Sequence, residues 1–294
     1  MKKILLFLML SPIALFSTEK ADSIKSWNFG GLASFNFSQV SLTNWAAGGK
    51  SSASGVAIFN VFGNYKKDNV SWENSLDMGY GLLKEQDNEV VKSNDKFDLN
   101  SKYGVKKTEK LYISTLFNFK TQFTPGYKYP NTTDAISKLL APAYITLSVG
   151  ADYKPNKKLS LLLSPLTGKM TIVADDDLSA IGSFGLDPGK KLRYEVGSFA
   201  KLELKTDIMK NVSLTSKLDL FSNYLHNPAN IDINWDLLIN MKINDYLSAN
   251  LISNMIYDDD IKIAIDKNKD GIIESRGPRV QLKEMFGVGL SLKF

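Results

Sequence analysis

The chain has 294 residues, 44% hydrophobic and 23% charged, with one histidine and no cysteine. The lack of cysteine excludes a disulfide framework, so stability must come from closed hydrogen bonding or a large core. The formal charge of +5 falls to +3 once Lys2 and Lys3 are set aside as part of a leader, too little to argue for a nucleic-acid partner.

In chain order, Met1-Lys2-Lys3 precedes an apolar run from Ile4 to Phe16, and polar sequence follows. Residues 1–20 therefore read as a secretory signal peptide, which leaves 21–294 as one domain. No later stretch reaches the ~18 consecutive apolar residues of a membrane helix, so contact with a bilayer must be made by strands. The first predicted strand alternates Trp27, Phe29, Ala33, Phe35 and Phe37 with Asn28, Gly30, Ser34, Asn36 and Ser38. Such alternation places apolar side chains on one face and polar ones on the other. Asn44, Trp45, Gly48 and Gly49 follow in a loop whose aromatic and flexible glycines suit recognition or gating.

The fourth strand alternates Phe97, Leu99, Tyr103 and Val105 with Lys96, Asp98, Asn100, Lys102 and Lys106. The fifth carries Leu111, Ile113, Phe117 and Phe119 on one face. Asp134 to Ala141 reads as a short helix in the loop that follows. Leu159 to Val173, interrupted by Pro165 and Gly168, reads as one bent strand, because splitting it gives an odd count. Ile231, Ile233, Trp235, Leu237, Ile239 and Met241 set the tenth. The chain closes on Phe286-Gly-Val-Gly-Leu-Ser-Leu-Lys-Phe294, with an apolar residue at every second position and a terminal aromatic.

Connections between these segments alternate strictly between short and long. Lys66–Asn69, Lys107–Lys110, Lys154–Lys158, Asp207–Asn211 and Asn244-Asp245 are tight. Ser41–Ala53, Leu83–Val91, Thr124–Pro142, Ala174–Leu192, Leu225–Ala229 and Asp260–Val280 are longer. The expected fold is all-β, a transmembrane up-and-down antiparallel barrel of about 12 strands with short periplasmic turns and longer extracellular loops. Its expected location is the outer membrane, reached through the general secretory pathway. The expected partners are outer-membrane lipids, the barrel-assembly machinery during insertion, and small polar solutes.

Three constellations could carry function. Glu73, Asp77, Lys96, Asp98, Lys102, Lys106, Lys120, Asp152, Arg193, Glu195, Lys201, Glu203, Lys217, Asp219, Asp232 and Asp236 all have lumen parity. They form either a structural ion-pair network or a selectivity lining for solutes. Asp266, Asn268, Asp270, Ile272 and Glu274 have the spacing of a calcium loop around Gly271, although Gly277 stands where the final bidentate acid is expected. Calcium there would order an outer loop and favour a structural or adhesive surface barrel. His226, the sole histidine, sits in a short loop with no nucleophile motif near it, so a membrane lipid hydrolase ranks last and the chain is read as non-enzymatic.

The sequence resembles a family of exported β-barrel proteins from the Bacteroidota catalogued as a domain of unknown function, number 3078. The matching landmarks are Val40-Ser-Leu-Thr-Asn-Trp45-Ala-Ala-Gly48-Gly49, Leu163-Ser-Pro165-Leu-Thr-Gly168-Lys-Met, Tyr257-Asp258-Asp259-Asp260-Ile261 and Gly277-Pro-Arg279-Val-Gln281-Leu-Lys-Glu284. The resemblance implies an outer-membrane location and carries no activity, substrate or catalytic residue. With the role left open by the resemblance, the leading functional expectation, drawn from the barrel and its charged lumen, is a passive pore or a binding protein for small polar solutes.

Overall fold

A computed structural model describes residues 26–43, 46–47, 49–86, 88–265 and 273–294. Twelve antiparallel strands close into one barrel. They are β1 Trp27–Val40, β2 Ser52–Lys67, β3 Val70–Glu85, β4 Val91–Lys106, β5 Leu111–Thr121, β6 Ala143–Tyr153, β7 Leu159–Ile172, β8 Leu192–Met209, β9 Val212–Asn223, β10 Asp232–Lys242, β11 Leu247–Tyr257 and β12 Gln281–Lys293. Each pairs with its neighbours in sequence, and β12 closes on β1 with Phe35 opposite Leu290 and Ser34 opposite Ser291. The Gly31 amide donates to the Phe294 carbonyl at 2.8 Å, so the terminal aromatic is tied into the seam.

Side-chain parity divides outside from inside. Phe29, Phe35, Phe286 and Leu290 are 52–68% exposed on the outer wall, while Ser34, Asn36, Asn100, Ser114, Asn118 and Ser148 are buried inside. An apolar exterior around a polar interior is the reverse of a soluble domain, and it suits a barrel that spans a bilayer. Among the described residues no helix is long and apolar enough to cross a membrane. Trp27, Tyr65 and Trp72 cluster at the end that holds Phe294, with ring centroids 5.3 and 5.7 Å from Trp27.

The five short turns lie at that same end. Asp68 and Asn211 take left-handed φ values of 51° and 65° in two of them, a conformation that Asp and Asn tolerate better than most residues. In two others Asn156 and Asn244 accept backbone N–H bonds from the residues two and three positions on, which fixes the reversal without a longer loop.

β7 is one strand with a kink at Pro165. The pairing of β6 with β7 jumps from Val149–Leu166 to Ala151–Leu163, and that of β7 with β8 jumps between Gly197 and Phe199. Proline has no N–H to give the ladder, and Ser164 Oγ instead bonds the carbonyls of Val149 and Leu166 at 2.7 and 2.8 Å. Gly150 lies opposite the kink, where a Cβ would stand 2.1 Å from the Leu163 carbonyl oxygen. The extra residue reverses parity along β7. Ser160 and Leu162 point inward before the kink, and Thr167, Lys169 and Thr171 after it.

The helix expected over Asp134–Ala141 does not form. Ala135–Ser137 is extended and pairs with Gly126–Tyr127, and Lys138 and Ala141 exchange backbone bonds of 2.7 and 3.0 Å. An eight-residue helix satisfies few of its own backbone groups, whereas the facing segment offers ready partners. A helix appears instead in the next loop at Asp176–Ala180, capped by Asp175, whose Oδ1 accepts from the Leu178 amide at 3.1 Å. The two loops pack as a small cap in which Ala141, Val173, Leu178 and Leu186 are buried. Lys138 Nζ, 2.5 Å from Asp175 Oδ2, pins them together, and this hydrogen bond holds the Asp175 carboxyl below the usual aspartate range.

Candidate functional site

The lumen carries three tiers of charge. Nearest the short turns, Lys102 Nζ lies 3.0 Å from Asp152 Oδ2, 3.2 Å from Glu73 Oε2 and 2.9 Å from Ser160 Oγ. Lys154 Nζ lies 2.5 Å from Glu73 Oε1 and 3.2 Å from Asp152 Oδ2, and stands over the Tyr112 ring. Two ammoniums and two carboxylates thus form a neutral quartet. Asp152 is fully buried between these two ammoniums, its Oδ1 accepting from Ser160 Oγ at 2.7 Å, and a buried charge is tolerable only with such counter-charges beside it.

The middle tier crosses the barrel. Lys217 on β9 meets Asp77 on β3 at 2.5 Å, and Lys96 on β4 meets Asp236 on β10 at 2.7 Å. In a ring of twelve strands β3 and β9 are six steps apart either way round, as are β4 and β10. Each pair therefore joins opposite walls and brings them within the combined reach of one lysine and one aspartate. Lys120 adds a third long contact, to Asp219 at 3.1 Å, and Lys201 shares that aspartate at 2.8 Å. Asp98, between Lys96 and Lys120, takes amide bonds from Asn100 and Asn118.

At the loop end Lys169 Nζ sits 2.6 Å from Asp232 Oδ2 and 4.9 Å from the Phe221 ring centroid. Arg193 reaches Glu195 and Asp260, each at 3.0 Å, and donates to the Gly185 carbonyl, tying the mouth of the barrel to two loops. Between tiers, Leu116, Leu162, Phe199 and Phe221 form a buried apolar cluster on the inner wall of β5, β7, β8 and β9.

Three cavities lie along the interior. A cavity of about 780 Å³ opens at the short-turn end, lined by Trp27, Phe62, Glu73, Lys102, Lys154, Lys158, Glu203 and Lys205 among others. A second, of about 160 Å³, lies toward the loops beside Tyr144, Lys169, Phe221 and Asp258. About 90 Å³ remains at the waist beside Asp77, Lys96, Lys217 and Asp236.

Most sequence-derived lumen residues meet in these tiers. Lys106 instead reaches Glu109 in the adjoining turn at 2.8 Å and stands at the rim. Lys154, Lys169 and the apolar cluster did not emerge from the sequence. Lys169 lies beyond the kink, where parity has changed, and inward Leu or Phe looks the same in sequence as outward Leu or Phe. Asn44, Trp45 and Gly48 lie outside the described residues. Gly49 is described, with φ 123°. Of the calcium loop, Asp266, Asn268, Asp270 and Ile272 lie outside the described residues, and the Glu274 amide donates to the Ile265 carbonyl at 3.0 Å. The leader at residues 1–20 is likewise outside them. His226 Nε2 is 3.2 Å from Asn227 Nδ2 and 3.9 Å from Asp260 Oδ1, and no serine bonds it among the described residues.

Residues 37–127 match a family model described as "Protein of unknown function (DUF3078)". No curated protein matches significantly. Among solved structures, the chain is similar to the translocator domain of the autotransporter NalP from Neisseria meningitidis, at 10% identity and TM-score 0.38, over 93% of this chain and 91% of that one. It is similar to an outer-membrane channel from Pseudomonas putida F1, at 12% identity and TM-score 0.39, over 90% and 93%. The NanC porin is a third, at 7% identity and TM-score 0.39, over 90% and 99%.

Proposed function

We propose that this chain is an outer-membrane barrel that binds small polar solutes in a vestibule open on its short-turn, periplasmic side, and that its lumen is shut at the waist. The observation that carries this reading is the pair of contacts Asp77–Lys217 and Lys96–Asp236, which join opposite walls above a cavity of about 780 Å³. That volume falls in the range of small-molecule sites, roughly 300–1,000 Å³. A blind, polar cavity favours binding over free passage. The orientation follows from the general rule that short turns of such barrels face the periplasm.

The reading is tested by swelling of proteoliposomes in isotonic solutions of small sugars. Purified, heat-modifiable protein is expected to leave the swelling rate at the protein-free level. A rate that rises with protein content would mean that solutes pass, and would replace the blind vestibule with an open pore.

A further inference from the structure

The vestibule's charge is distributed unevenly. Deep inside, Lys102, Lys154 and Lys201 are engaged by Glu73, Asp152 and Asp219. Nearer the mouth, Lys66, Lys157, Lys158 and Lys205 also line the cavity, and none of them forms an ion pair among the described residues. They come from β2, β8 and the turn between β6 and β7, so they surround the space from separate walls. Two carboxylates, Glu109 and Glu203, line the same region: Glu109 is occupied by Lys106 with Lys66 farther off, and Glu203 lies in the field of Lys201, Lys102 and Lys205, so four lysines near the mouth face two carboxylates already engaged from elsewhere. An excess of ammonium groups around a concave, partly desolvated space raises the local concentration of anions. Spare positive charges on several walls suit a ligand with more than one negative charge.

We infer, on the basis of the blind vestibule proposed above, that its ligands are small organic polyanions carrying two or three carboxylate or phosphate groups. Anionic lipid headgroups share that chemistry. Freely diffusing solute is the favoured source, because the lysines line an inward cavity and do not stand only on the outer rim.

The experiment is calorimetric titration of the full chain in zwitterionic detergent with citrate, and with glucose as a neutral counterpart of similar size. Citrate is expected to bind, glucose at least tenfold more weakly, and citrate affinity to fall as salt is raised. Lys158→Gln with Lys205→Gln removes two of the lining charges and is expected to weaken citrate about 2- to 30-fold, the range for two exposed charge contacts. The pair Lys66→Gln with Lys157→Gln is expected to act alike. Lys67→Gln with Lys210→Gln, at the same end but outside the lining, is expected to leave affinity unchanged. Equal binding of glucose would overturn the anion assignment while keeping the vestibule, and binding of neither would remove the vestibule reading itself. Citrate affinity insensitive to both lining pairs would also overturn the assignment. So would loss of citrate binding in nanodiscs of anionic lipid, which would assign these lysines to headgroups.

Discussion

If the waist contacts hold opposite walls together, Asp77 and Lys217 are strongly coupled, and a double-mutant cycle measures how strongly. Their side chains are 15% and 11% exposed, so each charge is largely removed from water and depends on the other. Breaking one side of such a pair costs about 3–5 kcal/mol when burial is complete, because the remaining charge stays buried and alone. Asn60 also bonds Asp77 at 2.7 Å, and the small cavity alongside leaves some room for screening. The expected loss for Lys217→Met or Asp77→Asn alone is therefore nearer the lower limit, about 3 kcal/mol. With both changed, no charge is stranded, and the loss is expected to shrink to about 1 kcal/mol. The summed single losses would then exceed the double by several kcal/mol, against the ~0.5 kcal/mol within which unrelated sites add. Urea unfolding in lipid vesicles, followed by tryptophan fluorescence, reads these values. A coupling below about 0.5 kcal/mol would refute the reasoning.

The same contacts predict electrical behaviour: wild-type protein in planar bilayers is expected to be silent, and replacing Asp77, Lys96, Lys217 and Asp236 together by serine to produce a steady current. A current from the wild type would contradict closure at the waist, and silence from the variant would mean that other groups close it. Gly150→Ala places a methyl 2.1 Å from the Leu163 carbonyl oxygen and is expected to cost about 1–3 kcal/mol in the same unfolding assay. The cap between the two outer loops is expected to lose protease resistance in acid. The Asp175 carboxyl is held low by Lys138, so its contribution is present above the ordinary aspartate value and is lost as pH falls through the depressed one. The Lys138 ammonium is held high by the same bond, so its share is lost only as pH rises through its raised value in strong base. Asp175→Asn is expected to give resistance independent of pH in the acid range, and limited proteolysis between pH 2 and 7 distinguishes the two.

The alternation in β1, β4, β5, β10 and β12 made the architecture legible, because a wall with hydrocarbon on one side and water on the other imposes period two on every strand. Turn chemistry was equally legible: Asp68, Asn156, Asn211 and Asn244 reverse the chain through their own conformational preferences or side-chain bonds. Local pattern misled at Asp134–Ala141, where a facing segment supplied backbone partners that a short helix could not match.

Parity also assigned most charged residues to the inside without saying which would meet. Whether Lys96 stays in its own wall or spans to Asp236 depends on the cross-section of the closed barrel, a distance that no single strand encodes. The kink at Pro165 turned Lys169 inward by one extra residue, and the cluster of Leu116, Leu162, Phe199 and Phe221 formed because four separate strands present apolar groups to one shared space. Sequence by itself determined the membrane-facing alternation, the turns and the strand count, since these follow from each residue and its near neighbours. Only tertiary structure decided that Asp77 meets Lys217 and Lys96 meets Asp236 across the interior, because that depends on how far apart two opposite walls come to rest.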